Sequence, residues 1–348
     1  QSDESFVTAQ LAGVADQWQW LINAGFRDQS ETETFFTNTT GDGCKILTGL
    51  ESQHVQNTGQ NLQSPTVHGY FTNNYQMLPV QMSRLEQNGY TMALTVGPTM
   101  AAEAAHVIET HKTQFPLVCL LPYATTPVGL VTHAENRLAL INGPALNVEE
   151  MVSFFTQAKP SIKTVIVPYG EQGDSLEIGW HDLVLHPTLK ALSNAGVQTI
   201  PIEVGSVEEV YSYISGDTLA DAVLLPEGTD LISSHTHIAK RCIESNKTLL
   251  AGSMHTTQYS AALGYAIDLL EFGKQAYTRL SKIEHGEMTL TQAGELPIKV
   301  PYKKLLNISR AQEQGMSSDK IHCMKIDALK GDQSDFNGKL FDVIMYVH

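Results

Sequence analysis

Positive charge is scarce in this chain. Its 348 residues include 22 Lys and Arg against 37 Asp and Glu, for a formal net charge of -15. A surface of that sign repels a phosphate backbone or an anionic membrane over most of its area, so we expect no nucleic-acid partner. No apolar run approaches the roughly 20 residues that span a bilayer, and no charged-then-apolar leader is present. The sequence therefore predicts a soluble chain whose secretion signal is either removed or was never there.

Cysteine is also scarce. The four cysteines are Cys44, Cys119, Cys242 and Cys323, and no two of them form a CxxC pair. That spacing argues against a zinc ribbon and against a thioredoxin-like centre. Cys119 lies inside "FPLVCLLP" and is predicted to be a small buried apolar residue. A disulfide between Cys44 and Cys323 stays open, so cysteine usage does not fix the compartment.

Catalytic and metal-binding motifs are lacking as well. No GxSxG, GxxxxGK[ST] or full GxGxxG pattern occurs. His235 and His237 are two residues apart and would point in different directions on a helix, so with His255 they make a poor zinc set. We expect no metal, no cofactor and no catalytic residue. An α/β enzyme acting on a small carboxylate stays a third alternative, because fold alone excludes no chemistry.

What the chain does contain is an alternation of short apolar strands with amphipathic helices. Its length favours two compact units. Short strands rich in Val, Ile and Leu, separated by helices, predict an α/β fold of two doubly wound parallel sheets covered on both faces, divided near "TTPVGLVTH". The predicted helices are 77–87, 100–111, 148–157, 178–194, 207–214 and 231–244, and the predicted strands are "YTMALTV", "PLVCLLP", "TVIVPY", "VQTIPIEV", "DAVLLPE" and "KTLLAGS".

The first part of the chain shows a different pattern. Apolar residues such as Val7, Leu11, Val14 and Trp18 recur at steps of three and four, which predicts an amphipathic helix over 6–22. The stretch "ETETFFTNTT" alternates as a half-buried strand does, and residues 41–74 read as a loop-rich insertion.

Four stretches resemble a known family: "YTMALTVGPTMAAEA", "FPLVCLLPYATTPVGLV", "ADAVLLPEGTDLISS" and "KTLLAGSMHTTQYSAALGYAIDLLEFGKQAYTRLSKIEHGE". They are similar to the substrate-binding proteins of ABC transporters with the type I periplasmic-binding fold, in the branch linked to tryptophan and other aromatic amino acids. The resemblance covers about 77–315. It implies a periplasmic or extracellular protein, secreted or lipid-anchored, whose two lobes are joined by a hinge and close over a small amphiphilic, amino acid-like ligand for an ABC permease. A ligand-sensing receptor ectodomain is the alternative.

The two ends of the chain extend this resemblance. Joining "KLFDVIMYVH" to "QSDESFVTAQLAGVADQWQWLINAGF" recreates the strand, loop and helix with which that family begins. We therefore predict a circular permutation, with 343–347 as a parallel strand beside helix 6–22. Lobe I would comprise 1–126, 262–286 and 336–348, and lobe II 127–261 and 295–315. A monomer is expected, and a dimer in which the last strand is exchanged with a neighbouring chain is the alternative.

The strand tips supply the candidate ligand contacts, because ligands bind at the carboxyl ends of the strands in this architecture. The helix start after Gly97, with the Thr99 hydroxyl, could hold a carboxylate, or Thr99 could simply cap its helix. Tyr123 and Tyr169 lie at strand tips of opposite lobes and could enclose an aromatic side chain, or each could pack against its own lobe.

Acidic residues at another tip could hold an ammonium group. Glu227 or Asp230, in "LLPEGTD", would fill that role, and either could instead be a helix cap. Ser253 and Met254 are weaker candidates from the return crossover that the resemblance implies. Gln1 and Ser2 enter the site only under the permutation hypothesis.

Overall fold

The computed structural model divides the chain into two compact units. Unit 1 comprises Gln1–Pro144 and Leu269–Val300, and unit 2 comprises Ala145–Asp268 and Pro301–His348. The chain therefore passes three times from one unit to the other. The structure describes residues 5–8, 20–23, 46, 49–50, 52–53, 56–57, 68–71, 92–96, 110, 116–121, 138–170, 180–216, 219–226, 231, 234–330 and 343–346.

Thirteen strands and nine α-helices have bounds within these described ranges. The strands are β1 (Ser5–Thr8), β2 (Trp20–Asn23), β3 (His68–Phe71), β4 (Met92–Val96), β5 (Leu117–Leu121), β6 (Leu138–Asn142), β7 (Thr164–Gly170), β8 (Gln198–Val204), β9 (Ala222–Leu225), β10 (Thr248–Ala251), β11 (Leu263–Ile267), β12 (Tyr302–Asn307) and β13 (Val343–Tyr346). The helices are α1 (Val148–Ala158), α2 (His186–Asn194), α3 (Val207–Ser215), α4 (His235–Glu244), α5 (Met254–Tyr259), α6 (Leu269–Glu284), α7 (Leu290–Gly294), α8 (Ile308–Glu313) and α9 (Ser318–Lys330), and a π-helix (His181–Leu185) precedes α2. No helix in this described part is both long and apolar enough to cross a bilayer.

Unit 1 is built on a six-stranded sheet in the order β3-β1-β2-β4-β5-β6. Strands β2, β4, β5 and β6 run parallel, whereas β1 is antiparallel to both of its neighbours. All five residues of β5 are buried, as expected of a parallel strand covered on both faces.

A close approach between main chains fixes α6 in unit 1. Gly49 and Gly273 lie against each other, and a Cβ added at Gly273 would fall well inside van der Waals distance of the Ile46 carbonyl oxygen. Ile46 and Leu50 are buried beside this contact. Only glycine permits the two segments to pack at this separation.

Unit 2 is built on a seven-stranded sheet in the order β13-β12-β11-β10-β9-β7-β8. Strands β7 to β11 are mutually parallel, β12 is antiparallel to β11, and β13 is parallel to β12. Successive side chains of a strand point to opposite faces, so each strand supplies two cores. Val165 and Val167 pack with α1, α2, α8 and α9 on one face, whereas Ile166 packs with α3 and α4 on the other.

A buried polar network lies at the amino-terminal end of the parallel strands of unit 2, around the start of β10. The Gln314 side chain accepts the Leu249 amide (2.7 Å) and donates to the Ser260 carbonyl (2.9 Å). The Lys159 ammonium donates to the Thr248 hydroxyl and to the Gln314 carbonyl. Burial lowers the pKa of Lys159, and the nearby Asp221 carboxylate opposes that shift. The network joins α1, β10 and the end of α8.

The α/β architecture with parallel strands and crossover helices is confirmed for the described residues. In unit 2 the predicted helices and strands agree with the observed ones to within a few residues. Two differences concern strand direction, because each sheet also contains antiparallel pairs: those of β1 with its neighbours, and that of β11 with β12. Both sheets are therefore mixed. The predicted helix 77–87 and the strand "ETETFFTNTT" lie outside the described residues.

The predicted helix over 6–22 is wrong where the structure describes it. Ser5–Thr8 and Trp20–Asn23 are strands, and β1 pairs with both β2 and β3. Main-chain pairing with other strands has overridden a helical periodicity, and the β-branched and aromatic residues of these segments favour strands. The segment 41–74 is also more regular than predicted, with strand His68–Phe71 and helical residues at Ile46 and Leu50.

The predicted place of the last strand is wrong as well. Val343–Tyr346 is a parallel strand, but it pairs with β12 in unit 2 rather than joining the sheet that contains residues 6–22. Its partner strand, β12, belongs to the same chain. The physical reason is that β12 has one edge paired with β11 and offers its other edge to an apolar strand. Both the permutation and the exchange hypothesis lose their structural basis.

The unit boundaries also differ from the predicted lobes. Of 262–286, which was predicted for lobe I, strand β11 lies in unit 2 and helix α6 in unit 1. Segment 336–348 belongs to unit 2, and segment 295–300, predicted for lobe II, belongs to unit 1. The chain passes from unit 2 to unit 1 directly after β11, so β11 and the helix that follows it belong to different units.

Two of the cysteines that the structure describes are buried and one is exposed. Cys119 and Cys242 are buried, and the burial of Cys119 agrees with the prediction of a small buried apolar residue. Cys323 is a free, exposed thiol, so in this structure it forms no disulfide. Cys44 lies outside the described residues.

Candidate functional site

The carboxyl ends of the five parallel strands of unit 2 lie along one edge of its sheet, here called the carboxyl edge. Strands β7, β8, β9, β10 and β11 end there. In open α/β sheets this edge is where ligands bind, because helix starts and loops rather than packed helices face it. The side chains around it are therefore the candidate site.

Aromatic side chains form a cluster at the end of β7. The Tyr169 ring meets the His181 ring edge to face, with 5.4 Å between the centroids, and the Trp180 ring also meets the His181 ring edge to face at 5.4 Å. Trp180 is 9% exposed and His181 is 5% exposed. We call Tyr169, Trp180 and His181 the aromatic cluster. A π-helix begins at His181, and such helices are rare and frequently occur at functional sites.

The electrostatics of the aromatic cluster favour its uncharged form. Burial raises the pKa of the Tyr169 phenol, and the Glu203 carboxylate raises it further. Burial lowers the pKa of His181, as does the neighbouring His186, against opposing effects of Glu203 and Asp182. At neutral pH both rings are therefore neutral. The partly exposed Tyr169 ring, backed by these buried neighbours, therefore suits the flat apolar part of a ligand better than a charged one.

Ser253 and Met254 open helix α5 after β10, at the same carboxyl edge. The Ser253 hydroxyl accepts the Thr256 amide (3.3 Å) as the helix cap, and Ser253 is 1% exposed. Met254 is buried with Ala266 and Leu305. A ligand at this turn would meet main-chain groups rather than these two side chains.

The histidines that invite a metal interpretation form ring contacts. His235 Nδ1 lies 2.6 Å from the Ser260 hydroxyl oxygen, and the His235 ring is perpendicular to that of His255 at 5.1 Å. His255 in turn contacts Tyr259 at 4.9 Å. Across the described ranges, no three His, Cys, Asp or Glu side chains are grouped so that they could hold a metal ion.

A second polar group lies where α1 begins. The Glu150 carboxylate accepts the Tyr265 hydroxyl (2.9 Å) and pairs with the Lys304 ammonium (2.7 Å). Tyr265 stacks on Tyr302 with centroids 5.1 Å apart and planes 3° from parallel. Burial by itself would raise the pKa of Glu150, but the hydrogen bonds from Lys304 and Tyr265 and the charge of Lys304 lower it overall. Asn147 caps the same helix through the Glu150 amide.

Three of the predicted site residues, Tyr169, Ser253 and Met254, are described, and all three lie at the carboxyl edge of unit 2. The other predicted site residues lie outside the described ranges, namely Gln1, Ser2, Gly97, Thr99, Tyr123, Glu227 and Asp230.

Sequence reasoning missed Trp180, His181 and the group around Glu150. The pair "WH" at the start of a predicted helix, one loop after Tyr169, was a signal that could have indicated the aromatic cluster. Glu150, Tyr265 and Lys304 are far apart in the sequence and carry no shared motif.

Comparison with solved structures gives the fold a precedent. An ABC domain in complex with L-Trp from Streptococcus pneumoniae matches with a TM-score of 0.56 and 15% identity, covering 80% of this chain and 93% of that one. A ligand-free, open substrate-binding protein with adhesive properties from Clostridium difficile matches with a TM-score of 0.55 and 13% identity, covering 87% and 95%. A probable maltose operon transcriptional repressor from Staphylococcus aureus matches with a TM-score of 0.51 and 11% identity, covering 75% and 89%.

No protein-family model and no curated protein matches the chain. At these low identities the structural matches establish the fold alone. This chain has the α/β fold that type I periplasmic-binding proteins share with LacI-type repressors.

Proposed function

We propose that this protein is an extracytoplasmic solute-binding protein of an ABC importer, periplasmic or extracellular, that binds a small amino acid-like ligand and delivers it to a permease. The observation that carries the proposal is the likeness, over 80% and 87% of the chain, to an ABC domain in complex with L-Trp and to a substrate-binding protein. The net charge of -15 supports binding of a solute over binding of DNA.

The aromatic cluster supports an aromatic ligand. Tyr169 is the partly exposed ring of the cluster, and the buried Trp180 and His181 hold it in place, so a ligand ring that packs on Tyr169 gains a ring contact beyond the burial of apolar area. A zwitterionic amino acid also needs a partner for each charge. In our proposal the turn at Gly97 and Thr99 holds the carboxylate, and Glu227 or Asp230 holds the ammonium group.

Hinge closure is the proposed mechanism. A ligand that contacts both units stabilises a closed state over an open one, and its affinity then reflects the difference in contacts between the two states. Tyr123 and Tyr169 would be the aromatic contacts from the two units. The protein performs no chemistry on its ligand in this proposal.

A thermal-shift screen of amino acids, nucleosides and sugars tests the proposal. A ligand at 100 times its Kd stabilises the native state by about 2.7 kcal/mol, which raises the melting temperature by several degrees. We expect L-tryptophan or another aromatic amino acid to produce the largest shift. A shift from a sugar or nucleoside, with none from the amino acids, would contradict the ligand class.

Variants locate the binding site. Replacing Tyr169 by Ala should raise the Kd of the identified amino acid about tenfold, because the ligand loses one ring contact and the apolar area with it. The matched control is Tyr213→Ala, since Tyr213 is 44% exposed on α3. Mass spectrometry of the ligand released from denatured protein should return it unaltered, whereas a converted product would favour an enzyme.

A further inference from the structure

The three connections between the units all join unit 2 at one group of residues. The first enters at Ala145 and leads into the start of α1, the second leaves after Asp268 at the end of β11, and the third returns at Pro301 just before β12. Glu150, Tyr265 and Lys304 lie on these three elements and contact one another. Segments that are far apart in sequence are therefore fastened together next to the connections.

Glu150 is the common partner in this group. One of its carboxylate oxygens accepts the Tyr265 hydroxyl, and the other pairs with Lys304. Tyr265 is 1% exposed, and the Lys304 side chain is 15% exposed. The Glu150 side chain is 46% exposed, so solvent and salt screen this ion pair in part, and the hydrogen bond from the buried Tyr265 adds to it. Charge-assisted hydrogen bonds of this kind have a defined geometry.

Further contacts tie the second connection to the third. The Asp268 amide donates to the Pro301 carbonyl (3.1 Å), and the Asp268 carboxylate lies 4.0 Å from the Lys303 ammonium. The stack of Tyr265 on Tyr302 lies on the same two strands. The ends of β11 and β12 are thereby held as one piece.

Unit 1 contains a corresponding contact for the first and third connections. The Ile298 amide donates to the Asn142 carbonyl (2.7 Å). Arg279 donates to the carbonyls of Ala293 (2.7 Å) and Pro297 (3.2 Å), which orders the approach to the third connection. Each unit therefore holds the ends of its connecting segments through contacts within that unit.

We propose that Glu150, Tyr265 and Lys304 form a clamp of positioning residues that fixes the unit 2 ends of the three connections, so that motion between the units is confined to the short segments at the crossings. The clamp deepens the proposed function, because a narrow range of motion raises the fraction of the protein that is ready to bind. Its test needs no ligand, so it can fail or succeed independently of that function.

The experiment measures the distance between one spin label in each unit. Leu219→Cys places a label in unit 2, where Leu219 is 91% exposed, and Lys282→Cys places one on the exposed last turn of α6 in unit 1. Cys44→Ser and Cys323→Ser remove competing thiols. Double electron–electron resonance on the ligand-free full chain then gives the distribution of distances between the units.

Lys304→Met is the test variant, and Lys304→Arg is the conservative rescue. We expect Lys304→Met to widen the distance distribution about twofold and Lys304→Arg to restore it, because arginine keeps the charge-assisted bond to Glu150. The matched control is Glu149→Gln, since Glu149 is the exposed neighbour in the same helical turn and should leave the distribution unchanged.

A merely structural role would give a different result. Lys304→Met would then lower the melting temperature while the distance distribution stayed as narrow as in the unsubstituted protein, and the proposal would be overturned. Tyr265→Phe removes a single hydroxyl and keeps the stack on Tyr302, so it covers the case in which Lys304→Met does not fold. It should widen the distribution by a smaller amount, and an unchanged width would likewise overturn the clamp.

Discussion

Replacing Gly273 by Ala tests the close approach between α6 and the segment around Gly49. A Cβ at Gly273 would overlap the Ile46 carbonyl oxygen and lie 3.1 Å from the Gly49 Cα. Both neighbours are main-chain atoms, so no side-chain rotation relieves the overlap. The helix must move away from its partner or bend.

Two opposing effects set the magnitude. Overpacking of this kind costs about 3 kcal/mol, at the upper end of the usual range, because the backbone has to shift. Alanine also favours a helix interior over glycine by about 1 kcal/mol. The net loss in the free energy of unfolding is therefore about 2 kcal/mol. For a domain of this size that corresponds to a fall in Tm of roughly 4–8 °C.

Urea denaturation and calorimetry of single and double variants measure this loss. Gly286→Ala is the control, because Gly286 has a φ of +70° but nothing within 4 Å of its added Cβ, so it reports backbone strain without overlap. Combining Gly49→Ala with Gly273→Ala should cost less than the sum of the two, since the first variant has already separated the segments. Full additivity, or a Gly273→Ala variant as stable as the unsubstituted protein, would refute the close approach.

Three further predictions concern unit 2 and its thiols. Gln314→Leu should lower the free energy of unfolding by about 2–4 kcal/mol in urea, because it leaves a buried main-chain amide and carbonyl unpaired, whereas exposed Gln312→Ala should change it little. Cys242, whose pKa burial raises to about 12, should react with a maleimide only on unfolding, while exposed Cys323 reacts at once; equal rates would contradict the core of unit 2. The pKa of Glu150 lies below its ordinary value of 4.5, so its ionised form stabilises the fold above that pH and the gain is lost as pH falls through the lowered pKa. The stability difference between the unsubstituted protein and Glu150→Gln should therefore narrow below pH 4.5, and a difference that is constant with pH would argue against the ion pair.

Unit 2 was largely predictable from its sequence because its signals are local. Strands such as "TVIVPY" are short apolar runs between amphipathic helices, and Asn147 stands as a cap before α1. In a doubly wound sheet each strand is buried on both faces, so its residue types differ clearly from those of the helices. Local pattern and final structure agree there.

The beginning and end of the chain were not predictable in the same way. The segment "SFVT" has residue types that suit a strand, but the surrounding periodicity suits a helix, and only pairing with residues 20–23 and 68–71 decides between them. The last strand could have joined either sheet, because an apolar run does not specify which strand it pairs with. Its pairing with β12 depends on an edge that the sequence does not reveal.

The candidate site was partly predictable for a related reason. Tyr169 stood out because it follows a strand, and the carboxyl edge collects such residues. His181 becomes a candidate only because the fold places its ring centroid 5.4 Å from that of Tyr169. The clamp forms only when α1, β11 and β12 come together in the fold, and no spacing of residues in the sequence predicts that contact.

The interleaving of the two units means that neither can be cut out as one uninterrupted fragment. Stopping after residue 268 would strip β12 and β13 from one sheet and α6 from the other unit. A version of unit 2 by itself would instead omit residues 269–300 and link residue 268 to residue 301. The ends to be joined, Asp268 and Pro301, are already hydrogen-bonded neighbours on antiparallel strands, so a hairpin turn of a few residues would replace the missing unit.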